Sequence, residues 1–368
     1  MIYMNRIKTL NFNGQKLDVP NIFISYRMGD YPSSGLKCLP WMEVEIDALL
    51  INAYDFLNKP HNKLLNSEES LKESLKFDKP IMMDSGGFYF SKKDKIDVNP
   101  LDILELQNKS NVDISVILDH PINPKINSPM ERMNITLNNT KIMFEALNQN
   151  DYENQVNLIP VIHGYDIPSL KYFIDKLEKM MIKFGVTLDS VGLGSLAPLS
   201  QRYDIRLSNI ISYVRKRFPE SHLHCFSLGS ALVMLIAFLN GADTVDTQGW
   251  MINAVYRYIN LPGIGAIKLR LKDKKENEKL YQRNYNRLSN HLEYLEDLEG
   301  FKPLYPLEEL IDSSSENKLH NRALHNLYVY NYEAKKVREA MDNNYFDEFI
   351  IERFSRNKKL NKFILNSK

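Results

Sequence analysis

Short apolar runs of strand length alternate with helical segments through the first 270 positions, and this alternation constrains the possible folds more than any other feature. The runs, each bounded by turn residues, are NIFISY (21–26), DALLINA (47–53), PIMMD (80–84), DISVILD (113–119), NLIPVIHG (157–164), VTLDSVGLG (186–194), LHCFSLG (223–229) and ADTVDT (242–247). Strands that are apolar throughout are typical of a parallel sheet covered by helices on both faces. About eight such strands suit an α/β fold of the closed (β/α)8 TIM-barrel type, for which ~250 residues is usual. A doubly wound open sheet is the alternative.

Two segments between the runs show the apolar spacing of helices. In IPSLKYFIDKLEKMMIKFG (167–185), Pro168 lies near the expected helix start and Gly185 just past its end, where each residue suits a helix terminus. The segment ALVMLIAFLNG (231–241) predicts a more buried helix that ends at Asn240-Gly241. Helices of this kind are what a parallel sheet needs as its cover.

After about residue 265 the pattern changes to charged helices, interrupted by the polar stretch IDSSSEN (311–317). We therefore predict a barrel whose main body is residues 1–265, and a helical C-terminal region, residues 266–368, that includes the last barrel elements. Residues 268–283 and 352–368 are rich in lysine and arginine. Each segment alone fits a solvated helix face, but together they predict an appendage that contacts phosphate backbones.

Composition excludes several classes of protein. Of the 368 residues, 43% are hydrophobic and 25% charged, which is typical of a soluble globular protein. No apolar run approaches the ~18 residues of a membrane span, and the start of the chain has no signal core, so a cytoplasmic location is expected. Two cysteines, Cys38 and Cys225, cannot form a disulfide framework or a four-cysteine zinc site.

Polar residues or glycines follow five of the predicted strands, at the ends where parallel α/β folds place their catalytic groups. These are Asp84, Asp119, His163, the turn 192–196 and Asp246. Any one of them alone would more often be a helix cap or a turn residue. Five together indicate a pocket.

The strand that ends at Asp84 continues as Ser85-Gly86-Gly87-Phe88. Two consecutive glycines permit close backbone approach, so the loop could present N–H groups to a ligand, although a capped strand-to-helix turn fits equally well. Phe88 offers an aromatic face on which a planar ligand could stack, whereas core packing is the commoner use of such a ring.

Asp243 and Asp246 point to opposite faces of an extended strand, and Asp246 is nearer its C-terminal end. Asp246 could attack a sugar carbon while Asp84 serves as acid and base, as in retaining glycosyl transfer. His163 is either a structural histidine bonded to backbone or a proton donor. The sequence has no clustered metal-ligand spacing, no P-loop and no dinucleotide fingerprint after a strand.

Taken in order, these motifs resemble the tRNA-guanine transglycosylase superfamily. The matching segments are LLINAYDFL (49–57), DSGGF (84–88), ILDHP (117–121), VIHG (161–164), VGLGSLAPL (191–199), FSLGS followed by NGADTVDT, and LHNLYVY followed by FDEFI. The resemblance covers most of the chain, and DSGGF is its most specific motif. One motif alone would be weak evidence, but their collinear order makes chance similarity improbable.

The resemblance implies a (β/α)8 barrel that exchanges guanine in nucleic acid for a 7-deazaguanine. Asp246 would attack the ribose C1′ and form a covalent intermediate, and Asp84 would be the general acid and base. Asp119 would accept hydrogen bonds from the base, and Phe88 and Phe226 would sandwich its ring. The other residues expected to line the base site are Ser85, Gly86, Gly87, His163, Gly194, Ser195, Leu196 and Gly229.

Departures from the family pattern bear on substrate and cofactor. The family zinc site uses three cysteines and a histidine; His325 matches the histidine, but no cysteine follows Cys225, so neither zinc nor another cofactor is expected. His163 replaces a glutamine, and DTQGWMINAVYRYINLPG replaces an arginine-rich loop of the bacterial tRNA enzymes. These differences favour the DNA-guanine transglycosylase branch, with 7-cyano-7-deazaguanine as the incoming base.

Three alternatives remain. The closest is a tRNA-guanine transglycosylase of the queuosine or archaeosine type, the second is a non-catalytic nucleic-acid-binding partner subunit, and the most remote is a metal-independent sugar-processing barrel. The expected partners are nucleic acid, with DNA favoured over tRNA, and a 7-deazaguanine base. A homodimer is left open, and no membrane association is expected.

Overall fold

A computed structural model describes residues 8–29, 35–57, 70–93, 96–123, 128–149, 156–269, 277–311, 318–360 and 363. The chain divides into two compact units. The first comprises Met1–Met28, Asp47–Gly229 and Val233–Thr247, and the second comprises Gly29–Ile46, Ser230–Leu232 and Gln248–Lys368. The division of domains at residues 265 and 266 stays a prediction.

The first unit contains a parallel barrel, which confirms the predicted fold class. An antiparallel hairpin, β1 (Thr9–Phe12) and β2 (Gln15–Asp18), precedes it. The barrel strands are β3 (Asn21–Ser25), β4 (Leu49–Asn52), β5 (Ile81–Asp84), β6 (Ile114–Val116), β7 (Leu158–Ile159), β8 (Val161–Ile162), β9 (Ser190–Leu193), β10 (His222–Cys225) and β11 (Thr244–Thr247). Each of the eight predicted apolar runs contributes to one or two of these strands.

The barrel is closed by the segment that contains β7 and β8. The strand order is β7-β6-β5-β4-β3-β11-β10-β9-β8, so these two strands lie at opposite ends of the sheet although only Pro160 separates them in the chain. β7 pairs with β6, and β8 pairs with β9. Pro160 has no N–H to donate, but its carbonyl accepts the N–H of Gly192 at 2.8 Å. The interruption therefore lets one stretch of chain join both edges.

Helices follow most of the strands in the first unit. They are α1 (Ala53–Leu57), α2 (Leu71–Leu75), α3 (Pro100–Lys109), α4 (Pro129–Gln149), α5 (Ile167–Phe184), α6 (Ala197–Ser200), α7 (Arg206–Arg217) and α8 (Ala231–Leu239), whose first two residues belong to the second unit. The termini of α5 are as predicted: Pro168 lies in its first turn, and Gly185 ends it with a φ of 67°. The predicted buried helix is α8.

Strand register determines which side chains face the barrel interior. Residues paired across a parallel ladder point to the same face, and alternate residues of one strand share that face. The pairs Asn52↔Asp84, Phe23↔Asp246 and His224↔Thr244 therefore lie on one face of the sheet. Because this face contains both the buried Phe23 and the polar groups Asn52, Asp84 and Asp246 near the ends of three strands, it is the interior.

The second unit is mainly helical. Its elements are a 3-10 helix (Pro40–Met42), α9 (Gly249–Val255), the antiparallel strands β12 (Tyr258–Leu261) and β13 (Gly265–Lys268), α10 (Asn277–Glu299), α11 (Leu307–Ile311), α12 (Lys318–Asp342) and α13 (Phe346–Ser355). Ile259, Leu295 and Phe301 are fully or almost fully buried in its core. None of the helices that the structure describes is long and apolar enough to cross a membrane.

The two predicted basic segments are only partly described. Residues 270–276, 361, 362 and 364–368 lie outside the described residues. In the described part of the last segment, Arg353 is fully buried, with Nη2 2.7 Å from Glu299 and Nε 3.0 Å from Glu333. Arg356 also pairs with Glu299, at 3.1 Å. These two arginines therefore stabilise the unit internally, and the nucleic-acid-binding role of the region stays a prediction.

Candidate active site

Asp246, on β11, is held by donors on both of its carboxylate oxygens. The Ser25 hydroxyl donates to Oδ2 at 2.9 Å, and the backbone N–H of Ser227 donates to Oδ1 at 2.7 Å. Ser227 has a φ of 61°, a region that residues other than glycine adopt mainly where the surrounding structure requires it. Nε2 of His224 lies 3.4 Å from Oδ1. The carboxylate is thus oriented at the C-terminal end of the barrel.

Asp84 ends β5 beside Asn52, the last residue of β4. The Asn52 side-chain amide donates to Asp84 Oδ2 at 3.1 Å, and the backbone N–H of Gly86 donates to the same oxygen at 3.3 Å. Burial, followed by the charges of Asp119 and Asp246, raises the pKa of Asp84 to about 8. Asp84 can therefore hold a proton near neutral pH, as a general acid must.

Asp119 lies against the DSGGF turn. The Ser85 hydroxyl is 3.5 Å from Asp119 Oδ1. A Cβ at Gly87 would lie only 1.9 Å from the same oxygen, so this carboxylate occupies the space that a side chain at position 87 would need. A Cβ at Gly86, where φ is 99°, would lie 2.7 Å from Tyr54 Cβ. The two glycines therefore let Asp119 and Tyr54 approach the turn.

His163 faces the other oxygen of Asp119. Its Nε2 lies 3.0 Å from Asp119 Oδ2, and its Nδ1 lies 2.9 Å from the Ser195 hydroxyl. The Ser195 oxygen accepts the N–H of Ile122 at 2.8 Å, so its own proton is directed to Nδ1. This places the ring proton on Nε2, toward Asp119. The sequence left a structural role and a proton-donor role open for His163, and this contact to a pocket carboxylate favours the second.

The glycine-rich turn 192–196 packs closely against the rings of His163 and Phe226. A Cβ at Gly194 would lie 2.5 Å from His163 Cε1, and a Cβ at Gly192 would lie 2.5 Å from Phe226 Cε2. Leu196 is buried at the start of α6. Gly229 is less crowded, because a Cβ there would meet no heavy atom within 4 Å.

The two phenylalanines expected to sandwich a base differ in environment. Phe88, in the 3-10 helix Gly87–Phe90, is 64% exposed. Phe226 is 8% exposed, and its ring centroid lies 4.3 Å from that of His224. Among the described residues no ring contact joins Phe88 to Phe226. Phe88 thus remains available to a ligand, whereas Phe226 is packed in the barrel.

Sequence reasoning missed four residues that touch the carboxylates: Ser25, Asn52, His224 and Ser227. Two of them had a readable signal, because Ser25 and Asn52 are the polar last residues of strands whose immediately preceding residues are apolar. His224 is the second of two histidines spaced to share a face of β10. Ser227 contributes only its backbone N–H, which has no sequence signal.

Asp243, the carboxylate that the sequence disfavoured, has a different environment. It is buried and forms an ion pair with Arg215, and its Oδ2 accepts the N–H of Leu223 at 2.8 Å. Arg215 also donates to the carbonyl oxygens of Gly241 and Ser221, both at 2.8 Å. This network joins α7 to β10 and β11, so Asp243 has a structural role.

The residues of the second unit do not fit the family's zinc site. Nδ1 of His325 accepts the N–H of Leu304 at 3.4 Å, and Nε2 lies 3.0 Å from the carbonyl oxygen of Asn260, to which it donates. Burial lowers the pKa of His325 to about 4. Both ring nitrogens are therefore used by backbone groups, and no cysteine follows Cys225 in the sequence.

A cluster of metal-ligating side chain types does occur elsewhere, where Cys38, Glu43 and His320 approach within 4.8 Å of one another. Glu43 accepts from the Cys38 thiol at 3.2 Å, from Nε2 of His320 at 3.0 Å and from the Tyr305 hydroxyl at 2.7 Å. The N–H of Lys37 donates to Nδ1 of His320, which leaves the ring proton on Nε2. Hydrogen bonds within the cluster thus account for its geometry.

The family model for queuine tRNA-ribosyltransferase matches residues 3–359. The tRNA-guanine(15) transglycosylases of Methanocaldococcus jannaschii and Methanococcus aeolicus are 24% and 25% identical to the chain, each over 97% of its length. That of Thermococcus onnurineus is 24% identical over 91% of the chain. The chain spans about half the length of these relatives, 51% of the first two and 52% of the third. On the strength of the match to almost its whole length, the chain belongs to the queuine tRNA-ribosyltransferase family.

Proposed function

We propose that the protein is a guanine transglycosylase that exchanges a guanine base in nucleic acid through a covalent intermediate on Asp246. The observation that carries this proposal is the convergence of three carboxylates in the barrel, with the charges of Asp119 and Asp246 both acting on Asp84. Their environments differ: Asp246 is anchored by donors on both oxygens, and Asp84 holds a proton near neutral pH. Such a difference is typical of a nucleophile paired with a general acid.

In the first half of the reaction a carboxylate oxygen of Asp246 forms a bond to the ribose C1′ as the bond from C1′ to the guanine N9 breaks. The electron pair of that bond leaves with the base, and protonated Asp84 supplies the proton that neutralises it. In the second half the incoming base returns a proton to Asp84 and attacks C1′, which releases Asp246. Two inversions retain the configuration at C1′.

Asp119 would read the base. A carboxylate can accept from the guanine N1–H and exocyclic amine, which are adjacent donors. His163 holds Oδ2 of this carboxylate and the Ser85 hydroxyl lies beside Oδ1, so its plane is set before the base arrives. Phe88, at 64% exposure, supplies the stacking surface.

The polymer we propose is tRNA, because the relatives are tRNA-guanine(15) transglycosylases. The comparisons favour this alternative over the DNA branch that the sequence motifs favoured. DNA is the second candidate, and one observation supports it: the backbone contacts of His325 depart from the zinc-binding pattern of the tRNA enzymes. In either polymer a paired target base would have to leave its stack.

The test is incorporation of radiolabelled guanine into tRNA and, separately, into duplex DNA, with unlabelled 7-cyano-7-deazaguanine as competitor. Label in tRNA supports the first proposal, and label in DNA alone would replace it with the second. Asp246→Asn is the catalytic control, and Asp102→Asn, an exposed aspartate of α3, is the matched control for loss of a carboxylate. Label in neither polymer with correctly folded protein would overturn the transglycosylase proposal and favour a non-catalytic subunit.

A further inference from the structure

We propose that His224 is a positioning residue for Asp246, held with its proton on Nε2 by a hydrogen-bond chain that runs through the barrel interior from Ser190. This inference rests on the proposed function for its kinetic consequence, but its structural core can be measured without any catalysis.

The hydrogen-bond chain follows directly from strand register. Ser190 is paired with His222 across β9 and β10, and His224 is paired with Thr244 across β10 and β11. Alternate residues share a face, so all of these side chains point into the barrel, as does Asp246 two residues after Thr244. The polar groups therefore form a line that ends at the nucleophile.

The distances between successive groups are those of hydrogen bonds. His222 Nδ1 lies 3.3 Å from the Ser190 hydroxyl, and His222 Nε2 lies 2.6 Å from the Thr244 hydroxyl. The same hydroxyl lies 2.8 Å from His224 Nδ1. Nε2 of His224 is buried, and among the described residues its polar neighbour is Asp246 Oδ1, 3.4 Å away.

The hydroxyl of Thr244 determines the donor-to-acceptor direction of the hydrogen-bond chain. One hydroxyl has one proton, so it can donate to one of the two histidines and must accept from the other. If Thr244 donates to His224 Nδ1, it accepts from His222 Nε2, and the proton of His224 lies on Nε2, facing Asp246. Ser190 then donates to His222 Nδ1, so each contact from Ser190 to His224 Nδ1 has one donor and one acceptor.

The opposite direction is unfavourable at Asp246, the nucleophile. Were Thr244 to donate to His222, the proton of His224 would lie on Nδ1, and the lone pair of Nε2 would face the lone pairs of an ionised Asp246. A buried acceptor facing a carboxylate is costly, because neither group can be solvated. An ionised Asp246 therefore requires the first direction.

The charges around His222 are consistent with a neutral imidazole. Burial, His224 and Arg215 all lower the pKa of His222 well below its usual value. The pKa of Asp84, on which the charge of Asp246 acts, is raised to about 8, so Asp84 adds little negative charge near neutral pH. His222 can therefore act as a neutral group that donates through Nε2 and accepts through Nδ1.

The consequence for the reaction lies in the two oxygens of Asp246. Oδ1 receives the Ser227 N–H and faces Nε2 of His224, whereas the donor to Oδ2 among the described residues is the hydroxyl of Ser25, which can rotate. Oδ2 is therefore the oxygen that attacks C1′. The two donors on Oδ1 fix the carboxylate plane and stabilise the charge that returns when the incoming base displaces Asp246.

The kinetic test compares Thr244→Val, which keeps the shape but loses the hydroxyl, with Thr244→Ser, which keeps the hydroxyl. His224→Leu, which cannot donate, is compared with His224→Gln, whose amide can. We expect the rate of adduct formation on Asp246 to fall about tenfold in His224→Leu and severalfold in Thr244→Val, with KM for the polymer unchanged. Thr244→Ser and His224→Gln should restore most of the rate. Equal rates in all folded variants would mean a purely structural role and overturn the proposal.

The direct test is nitrogen NMR of 15N-histidine-labelled protein, with the His224 signals identified by their loss in His224→Gln. The Nε2-protonated tautomer of His224 and of His222 is expected in the unliganded protein. The Nδ1-protonated tautomer of His224 would overturn the proposal whatever the activity. If the tautomer is as expected but neither tRNA nor DNA accepts label, the proposed function fails and the hydrogen-bond chain stands.

Discussion

His163 Nε2 lies 3.0 Å from Asp119 Oδ2, while the Ser195 hydroxyl holds the other nitrogen of the ring at 2.9 Å. His224 stands in the same relation to Asp246, with the Thr244 hydroxyl on its far nitrogen. Two carboxylates of the site are thus each faced by a buried imidazole whose tautomer a hydroxyl selects. Such secondary partners orient the groups that touch a substrate.

Removing the hydroxyl of Ser195 should therefore impair base recognition. In Ser195→Ala the imidazole of His163 loses the donor that fixes its tautomer, so its N–H is no longer held toward the Asp119 carboxylate. A hydrogen bond to a charged group contributes ~1.5–3 kcal/mol, and we therefore expect kcat/KM for guanine to fall roughly tenfold. The measurement is steady-state exchange of labelled guanine. Ser200→Ala, which removes a hydroxyl bonded within α6, is the control, and an equal loss in both variants would contradict the assignment.

A side chain at position 87 should displace Asp119. The Cβ of Gly87→Ala would lie 1.9 Å from Asp119 Oδ1 and 2.8 Å from its backbone oxygen, so the strand end must move. We expect a loss of at least about tenfold in kcat/KM. We also expect the free energy of unfolding to fall by ~1–3 kcal/mol, the usual cost of overpacking. Gly185→Asn, at the end of α5, is the control, because asparagine tolerates that backbone conformation. Unchanged guanine exchange in Gly87→Ala would refute the close approach.

The raised pKa of Asp84 should make the free energy of unfolding fall as the pH rises. Its pKa is about 8 in the folded protein and near its ordinary value of 3.8 when unfolded. Between about pH 4 and 8 the folded state therefore binds more protons than the unfolded state, so the free energy of unfolding decreases with increasing pH in this window. Asp84→Asn should abolish catalysis yet raise the unfolding midpoint, more at pH 8 than at pH 5.

Urea denaturation of wild type, Asp84→Asn and Asp102→Asn at pH 5 and pH 8 tests whether the stabilisation by Asp84→Asn grows with pH. Asp102 lies exposed in the first turn of α3, so its substitution should leave the pH dependence as it is. A stabilisation by Asp84→Asn that is greater at pH 5 would show that the pKa of Asp84 is not raised.

The buried pair of Arg215 and Asp243 should matter for stability and not for chemistry. Asp243→Ala leaves a buried guanidinium without its carboxylate, which typically costs ~3–5 kcal/mol. We expect a large drop in the unfolding midpoint but an unchanged rate of adduct formation per folded molecule. A reduced rate with an unchanged midpoint would instead place Asp243 in the active site.

The sequence predicted the barrel because all eight apolar runs contribute strands, and strand ends in this fold are where polar residues gather. It did not predict the closure at Pro160, since a two-residue strand on each side of a proline has no periodicity to detect. The roles of His224 and Ser227 depend on register and on a backbone N–H, which are properties of the assembled barrel. Asp84 was predicted as an acid and base from its place at a strand end and by resemblance. The physical cause of its raised pKa, burial followed by the charges of two nearby carboxylates, needed the three-dimensional structure.

The most direct test of the account is to locate the covalent intermediate. The protein is incubated with tRNA or DNA without an incoming base, denatured and digested, and the peptides are analysed by mass spectrometry. We predict a nucleotide adduct on the carboxylate of Asp246 in the wild type, which disappears in Asp246→Asn and discharges when guanine is added before denaturation. An adduct on Asp84 or Asp119, or one that persists in Asp246→Asn, would contradict the account.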